Sequence, residues 1–363
     1  MKQWLVGLVV LLGSASIGAQ APAPPTPVAV PEIPFDGDIN FLKLPADMNL
    51  GEVSGVAVNS KGHIFIYTRN NSAGGPAYGA TASQLLEFGP DGKYVREIGK
   101  GLYAWSYAHA VRVDKDDNIW AIDKGSDMIV KFNPEGRVVM VFGRKKEASD
   151  EAEPWTRVTP VRPHVDGQFR QPTDVAWDTA GSIFISDGYI NSRVAKFTKD
   201  GDWVKSFGER GTKDGELNTP HSIANDAKGN IYVADRGNRR IQVFDPDGKH
   251  LRTMTIDVPV PAGAKPWFGN TPTVEQGASQ SGAPWALCIS PGPTQYLYSA
   301  DAFPGRIYKM TLDGKVLGSL GSSGHQAKQF GWIHEIACPS ENTLFVGELL
   351  NWRMQKLTLR PAK

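Results

Sequence analysis

The chain has 363 residues, with 39 Lys and Arg against 38 Asp and Glu and a formal net charge of +1. That balance provides neither the basic footprint of a nucleic-acid binder nor an acidic tail. Its 39 Gly and 26 Pro are spread along the sequence, as many short strands joined by tight turns require.

Residues 1–21 read as a signal peptide. Lys2 supplies the positive end, Trp4 to Leu12 is an apolar run too short to span a bilayer, and Ala19-Gln20-Ala21 offers a small-x-small cleavage pattern. Residues 22–38, Pro-rich as far as Pro34, read as a linker. Residues 39–363 then read as one folded catalytic domain, with no further stretch long and apolar enough for a membrane helix. The expectation is a periplasmic or secreted monomer, with no membrane insertion after leader removal and no nucleic-acid partner.

Internal repeats decide the fold. Ile39 to Leu44 is a lone strand, followed by a divergent copy from Val53 to Gly99 that carries Pro90-Asp91-Gly92. Four clearer copies start at Ala108, Pro172, Pro220 and Pro284 and end at Gly143, Gly208, Met254 and Gly321. Each has a short apolar strand, a turn, a strand ending in Asp (Asp123, Asp187, Asp235, Asp301), and a strand leading to a second turn. That turn recurs as Pro134-Glu135-Gly136, Lys199-Asp200-Gly201, Pro246-Asp247-Gly248 and Leu312-Asp313-Gly314, where Gly accepts positive φ without strain. The last copy, Ile333 to Leu359, stops one strand short, and Ile39 to Leu44 is the predicted donor of that strand. The pattern predicts an all-β, six-bladed β-propeller closed by an N-terminal strand, which removes exposed edges. An open solenoid, the alternative, does not account for the short final repeat.

The recurrence of the four aspartates marks them as turn-binders rather than an acid/base pair. Connections 70–82, 144–168 and 255–283 exceed hairpin length; the second and third, which join blades, read as walls over one end of the channel, with plain surface loops as the alternative. Cys288 and Cys338 sit in apolar strand patterns. They read as two buried thiols, with a disulfide as the alternative in an oxidising compartment.

Superposing the repeats on their first strands places His109, His221 and His334 at one position of the second, fourth and sixth copies, with spacings of 112 and 113. Ser54, Thr173 and Trp285 stand there in the others. First strands flank the axis of a propeller, and alternate blades of six are related by a threefold rotation, so the imidazoles converge. Three nitrogen ligands with an open fourth position are the arrangement of a catalytic zinc site, although nitrogen ligation also suits copper or nickel. His63, His164, His250 and His325 show no such register and read as surface residues.

At these residues the chain resembles the peptidyl-α-hydroxyglycine α-amidating lyases, propellers with NHL-like repeats. The most specific pieces are Asp187-Gly188-Tyr189-Ile190-Asn191-Ser192-Arg193, Pro220-His221-Ser222, Ala234-Asp235-Arg236 and Ile333-His334-Glu335. The resemblance implies zinc on His109, His221 and His334, a catalytic tyrosine at Tyr189, and active-site arginines at Arg69 and Arg236. It also implies a structural calcium on the carbonyls of Val56 and Val111 and the carboxylate of Glu335, where the family usually has Asp. Family disulfide partners are absent, with Ile190 and Val233 at two of their places, and so is the monooxygenase domain. The implied reaction breaks the N–C bond of an N-acyl hemiaminal carrying a carboxylate, on a small molecule or a peptide, giving an amide and glyoxylate. Two other classes stay open. One is a non-catalytic binding propeller, and the other a propeller metallohydrolase or lactonase, which needs a carboxylate/Asn metal cluster that is not seen in register.

Overall fold

The second strand of a repeat is its most deeply buried part. Ile119–Asp123, Ile183–Asp187 and Ile231–Asp235 are buried at every residue. Each lies inside its sheet and is covered on both faces by neighbouring sheets. The fourth strand borders solvent: Val138, Val139 and Val141 of Val138–Phe142 are all exposed. A computed structural model describes residues 28–69, 83–145, 163–265 and 280–360, and contains six four-stranded antiparallel sheets. The innermost strands are Glu52–Val58, Ala108–Val113, Asp174–Trp177, Pro220–Asn225, Ala286–Ile289 and Ile333–Ser340. They touch one another in cyclic order, the sixth against the first, so the ring is closed. Among the described residues no helix is long and apolar enough to cross a membrane.

The closing strand is N-terminal, as expected, but it is Phe35–Asp38 rather than Ile39 to Leu44. Phe35–Asp38 pairs antiparallel with Arg353–Leu359 in blade 6, with Phe35 opposite Leu359 and Asp38 opposite Lys356. Phe-Asp-Gly-Asp does not read as a strand because an outermost strand has to bury only one face. Phe35 supplies that burial, and Asp36 pairs with Arg360 in solvent. Residues 39–44 continue along blade 1 instead. The Lys43 N–H donates to Gly92 O, and Phe41, Leu42 and Leu44 pack against the core shared by blades 1 and 6.

The domain therefore begins before residue 39. The described part of the presumed linker is attached to the ring: the Ile33 N–H donates to Ser319 O, and the Val28 N–H to Asp257 O. The leader, connection 70–82 and much of the other two long connections lie outside the described residues. Cys288 and Cys338 form a disulfide, with Cα atoms 6.1 Å apart. The free-thiol reading fails because the innermost strands of blades 5 and 6 run side by side.

The recurrent aspartates act as latches. Each accepts the N–H of a residue on the segment entering its own blade: Ser106 to Asp123, Arg170 to Asp187, Asn218 to Asp235 and Gly282 to Asp301. Thr68 in blade 1 and Glu348 in blade 6 do the same for Gly51 and Gly331. In blades 1, 2 and 4 the residue after the latch is a cation, Arg69, Lys124 or Arg236.

Candidate metal centre

The three histidines leave their ladders where the pairing shifts register. The shifts fall between Ala108 and Ala110, between Pro220 and Ile223, and between Ile333 and Glu335. A bulged residue is released from pairing and its side chain is re-aimed, here toward the axis. The imidazole centroids are 4.7–4.8 Å apart, and the ligand nitrogens all lie within 4.8 Å of one another. All three side chains are buried.

Each Nδ1 faces a backbone carbonyl: Thr173 O at 2.6 Å for His109, Trp285 O at 2.7 Å for His221, and Ser54 O at 2.7 Å for His334. These acceptors are the register equivalents of the histidines in the odd blades, so the threefold pattern is repeated in the supporting shell. A carbonyl can only accept, which puts the proton on Nδ1 and the lone pair on Nε2. The Nε2 of His221 is buried with no hydrogen-bond partner. Burial, helped by neighbouring positive groups, holds all three well below the usual histidine range, in the neutral form that ligates metals. Three converging, oriented and uncharged Nε2 donors fit a first-row cation.

Tyr189 closes over this set, with its hydroxyl 3.3 Å from His109 Nε2. Gly188 before it allows this approach, since a Cβ there would meet Pro220 O of the next blade at 1.9 Å. Arg236 lies 4.0 Å from the Trp285 ring centroid and donates to Tyr189, while its Nε and Nη1 are buried without partners. Arg69 donates from Nε to Ala108 O and from Nη1 to Glu52, at 2.8 Å each, and lies over Tyr107.

Sequence reasoning missed a third cation. The Lys124 Nζ sits 3.9 Å from the Tyr189 ring centroid. The signal was available, because Arg69, Lys124 and Arg236 all follow the latch residue of their blade (Thr68, Asp123, Asp235). Burial pushes the Tyr189 phenol up, but Lys124, Arg236 and Arg69 together outweigh it and bring it to about 8. The predicted catalytic and zinc-binding residues thus come together in one place.

The implied calcium site does not fit. Glu335 is ringed by donors rather than oxygen ligands: Arg112 Nη2 lies 2.7 Å from Oε1, the Val111 N–H donates to Oε2, and the Val56 N–H also donates to the carboxyl. Calcium takes six to eight oxygens at roughly 2.3–2.6 Å. Val56 and Val111 turn the positive ends of their peptide dipoles toward the carboxyl that was expected to hold the ion.

Comparisons with known proteins bear on the repeat and on the fold. The NHL repeat family matches residues 217–244, within blade 4. A peptidylglycine α-amidating monooxygenase of Rattus norvegicus is 29% identical over 223 residues, 55% of this chain and 21% of that protein. A Caenorhabditis elegans protein named as a probable peptidyl-α-hydroxyglycine α-amidating lyase is 28% identical, over 58% of this chain and 61% of its own. The Drosophila melanogaster peptidyl-α-hydroxyglycine α-amidating lyase 1 is 23% identical, over 86% and 58%. The chain thus spans about a fifth to three fifths of these relatives. A streptogramin B lyase structure superposes with a TM-score of 0.53 at 14% identity, covering 90% of this chain and 98% of its own. A Xanthomonas campestris gluconolactonase gives 0.55 at 14%, covering 93% and 99%. These two likenesses show the fold alone. Among the described residues, the three histidines are the group of His, Cys, Asp or Glu side chains that could hold a metal ion. The chain is a six-bladed β-propeller with an NHL repeat at residues 217–244, and part of its sequence is similar to proteins named peptidyl-α-hydroxyglycine α-amidating lyases.

Proposed function

We propose that this chain is a zinc-dependent carbon–nitrogen lyase, splitting an N-acyl-α-hydroxyglycine-type hemiaminal into an amide and glyoxylate. The observation that carries the reading is the Tyr189 hydroxyl, 3.3 Å from His109 Nε2 and beside an arginine whose Nε and Nη1 are buried and unpartnered. Bound zinc would supply positive charge that acidifies a coordinated hydroxyl. The remaining steps belong to the chain's own side chains. Arg236 offers a planar fork to the substrate carboxylate, and Arg69, held by Glu52, adds positive charge nearby. Ionised Tyr189 takes the hydroxyl proton of the hemiaminal. The freed electron pair forms the aldehyde C=O of glyoxylate as the N–C bond breaks, and the proton count closes when the phenol returns its proton to the leaving amide nitrogen.

Export to an oxidising compartment is part of the same proposal, supported by the leader-like N-terminus and the disulfide.

The test is glyoxylate release from N-benzoyl-α-hydroxyglycine by metal-loaded protein. Wild type is expected to turn over, and Tyr189→Phe to lose at least about 100-fold in rate with its metal content unchanged. Wild-type protein that holds its metal and releases no glyoxylate would overturn the reading.

A further inference from the structure

Next to the histidine tier lies a second tier of side chains that the proposed chemistry does not use. Arg112, on the same strand as His109, reaches across the channel with its side chain only 13% exposed. Its guanidinium grips Asp174 of blade 3 by two bonds, Nε to Oδ1 at 2.8 Å and Nη2 to Oδ2 at 2.6 Å. Nη2 also meets Ser222 Oγ of blade 4 at 3.1 Å, Leu287 O of blade 5 at 3.2 Å, and Glu335 Oε1 of blade 6 at 2.7 Å. Nη1 faces Ile336 O at 3.5 Å. Glu335 completes the circle by accepting N–H groups from blades 1 and 2. Gly55 permits the close approach, since a Cβ there would stand 2.7 Å from Val111 N.

We infer that the Arg112 guanidinium is the ring's built-in axial cation, filling the role for which the resemblance reserves a second, structural metal ion. Two buried carboxylates from different blades need a positive charge between them, and a planar donor group satisfies them with bonds a metal ion would have to replace. Space, charge and donor direction are all committed to the guanidinium. The placement also links the two tiers. Asp174 adjoins Thr173, Ser222 adjoins His221, Glu335 adjoins His334, and Leu287 stands two residues after Trp285. Fastening these residues sets the register of the strands that carry the imidazoles and their carbonyl partners. The protein then needs one metal ion per chain, not two. This inference does not rest on the proposed reaction.

The experiment measures metal content and melting temperature of zinc-loaded, dialysed protein, with and without millimolar calcium chloride. Wild type is expected to hold no calcium and to melt at the same temperature in both conditions. Arg112→Ser leaves two facing carboxylates without their cation and should melt lower by about 5 °C or more. Should the serine protein fail to fold, Arg112→Lys takes its place. It keeps the charge but not the fork, and should melt below wild type while still ignoring calcium. Stoichiometric calcium in the wild type, a calcium-dependent rise in its melting temperature, or a variant as stable as wild type would each overturn the inference. Zinc and glyoxylate assays report on the other tier and read out separately.

Discussion

At the scale of single residues, each imidazole of the centre is determined twice. A bulge turns its side chain to the axis, and a carbonyl from the next blade fixes which nitrogen is left bare. Only the first condition can be found by aligning repeats; the second depends on which carbonyl faces the ring. Tyr189, Arg69 and Arg236 were legible only through the family resemblance of the segments that carry them. Lys124 went unnoticed because a lysine after a turn aspartate looks like ordinary surface. Arg112 was missed for a related reason, since Val111-Arg112-Val113 reads as a strand alternating toward solvent, and its exit is instead the channel.

Two predictions belong at this scale. Arg236→Lys exchanges a fork for a point charge and should raise KM for a carboxylate-bearing substrate about tenfold, while metal content stays at the wild-type level. An unchanged KM would remove Arg236 from carboxylate binding. The second concerns pH. The phenol of Tyr189 must lose its proton to act as a base, and that group ionises at about 8. Below this value the ionised fraction falls about tenfold per pH unit, so kcat/KM should climb with pH through 8 and level off about one unit above it. The Tyr189→Phe protein should lack that limb. A flat wild-type profile between pH 6 and 8 would exclude the phenol as the base.

At the scale of elements, the blade is the unit that the repeats specify, and the latch is its fixed point. The side chain at one repeat position accepts the N–H of the segment entering the same blade, and in blades 1, 2 and 4 its successor is a cation beside Tyr189. This explains why cations from blades 1, 2 and 4 meet over one tyrosine from blade 3. The closing strand was misplaced in sequence because Ile39 to Leu44 looks more strand-like than Phe-Asp-Gly-Asp. Apolar content predicts burial, and the outermost strand of a blade is chosen by reach and pairing with little burial. Its one apolar anchor should therefore dominate. Phe35→Ala is expected to lower unfolding stability by about 3 kcal/mol, measured by denaturant titration. Asp36→Ala, which deletes an exposed partner of Arg360, should leave stability within error. Equal effects of the two would mean that pairing, not the Phe35 anchor, holds the strand.

At the scale of the whole molecule, a sixfold ring carries a threefold site. Even blades supply the imidazoles and odd blades the carbonyls that orient them, so every blade has a share in one centre. The number of blades and the placement of the site were readable because repeats of similar length leave few ways to close. The disulfide was not, because it depends on which strands become neighbours around the axis.

Blade 6 is assembled from both parts of the chain, Phe35–Asp38 and the three strands between Ile333 and Leu359. A chain emerging from its N-terminus must therefore hold its first strand in waiting while five blades form. His334, on the first strand of that shared blade, is the last of the three imidazoles to be made. Until it arrives, His109 and His221 can offer an ion only two nitrogens, and the carbonyl of Ser54 has no ring to orient. Capture of an ion by all three nitrogens would thus follow ring closure, and an ion that arrived late would also link the two halves of the sequence.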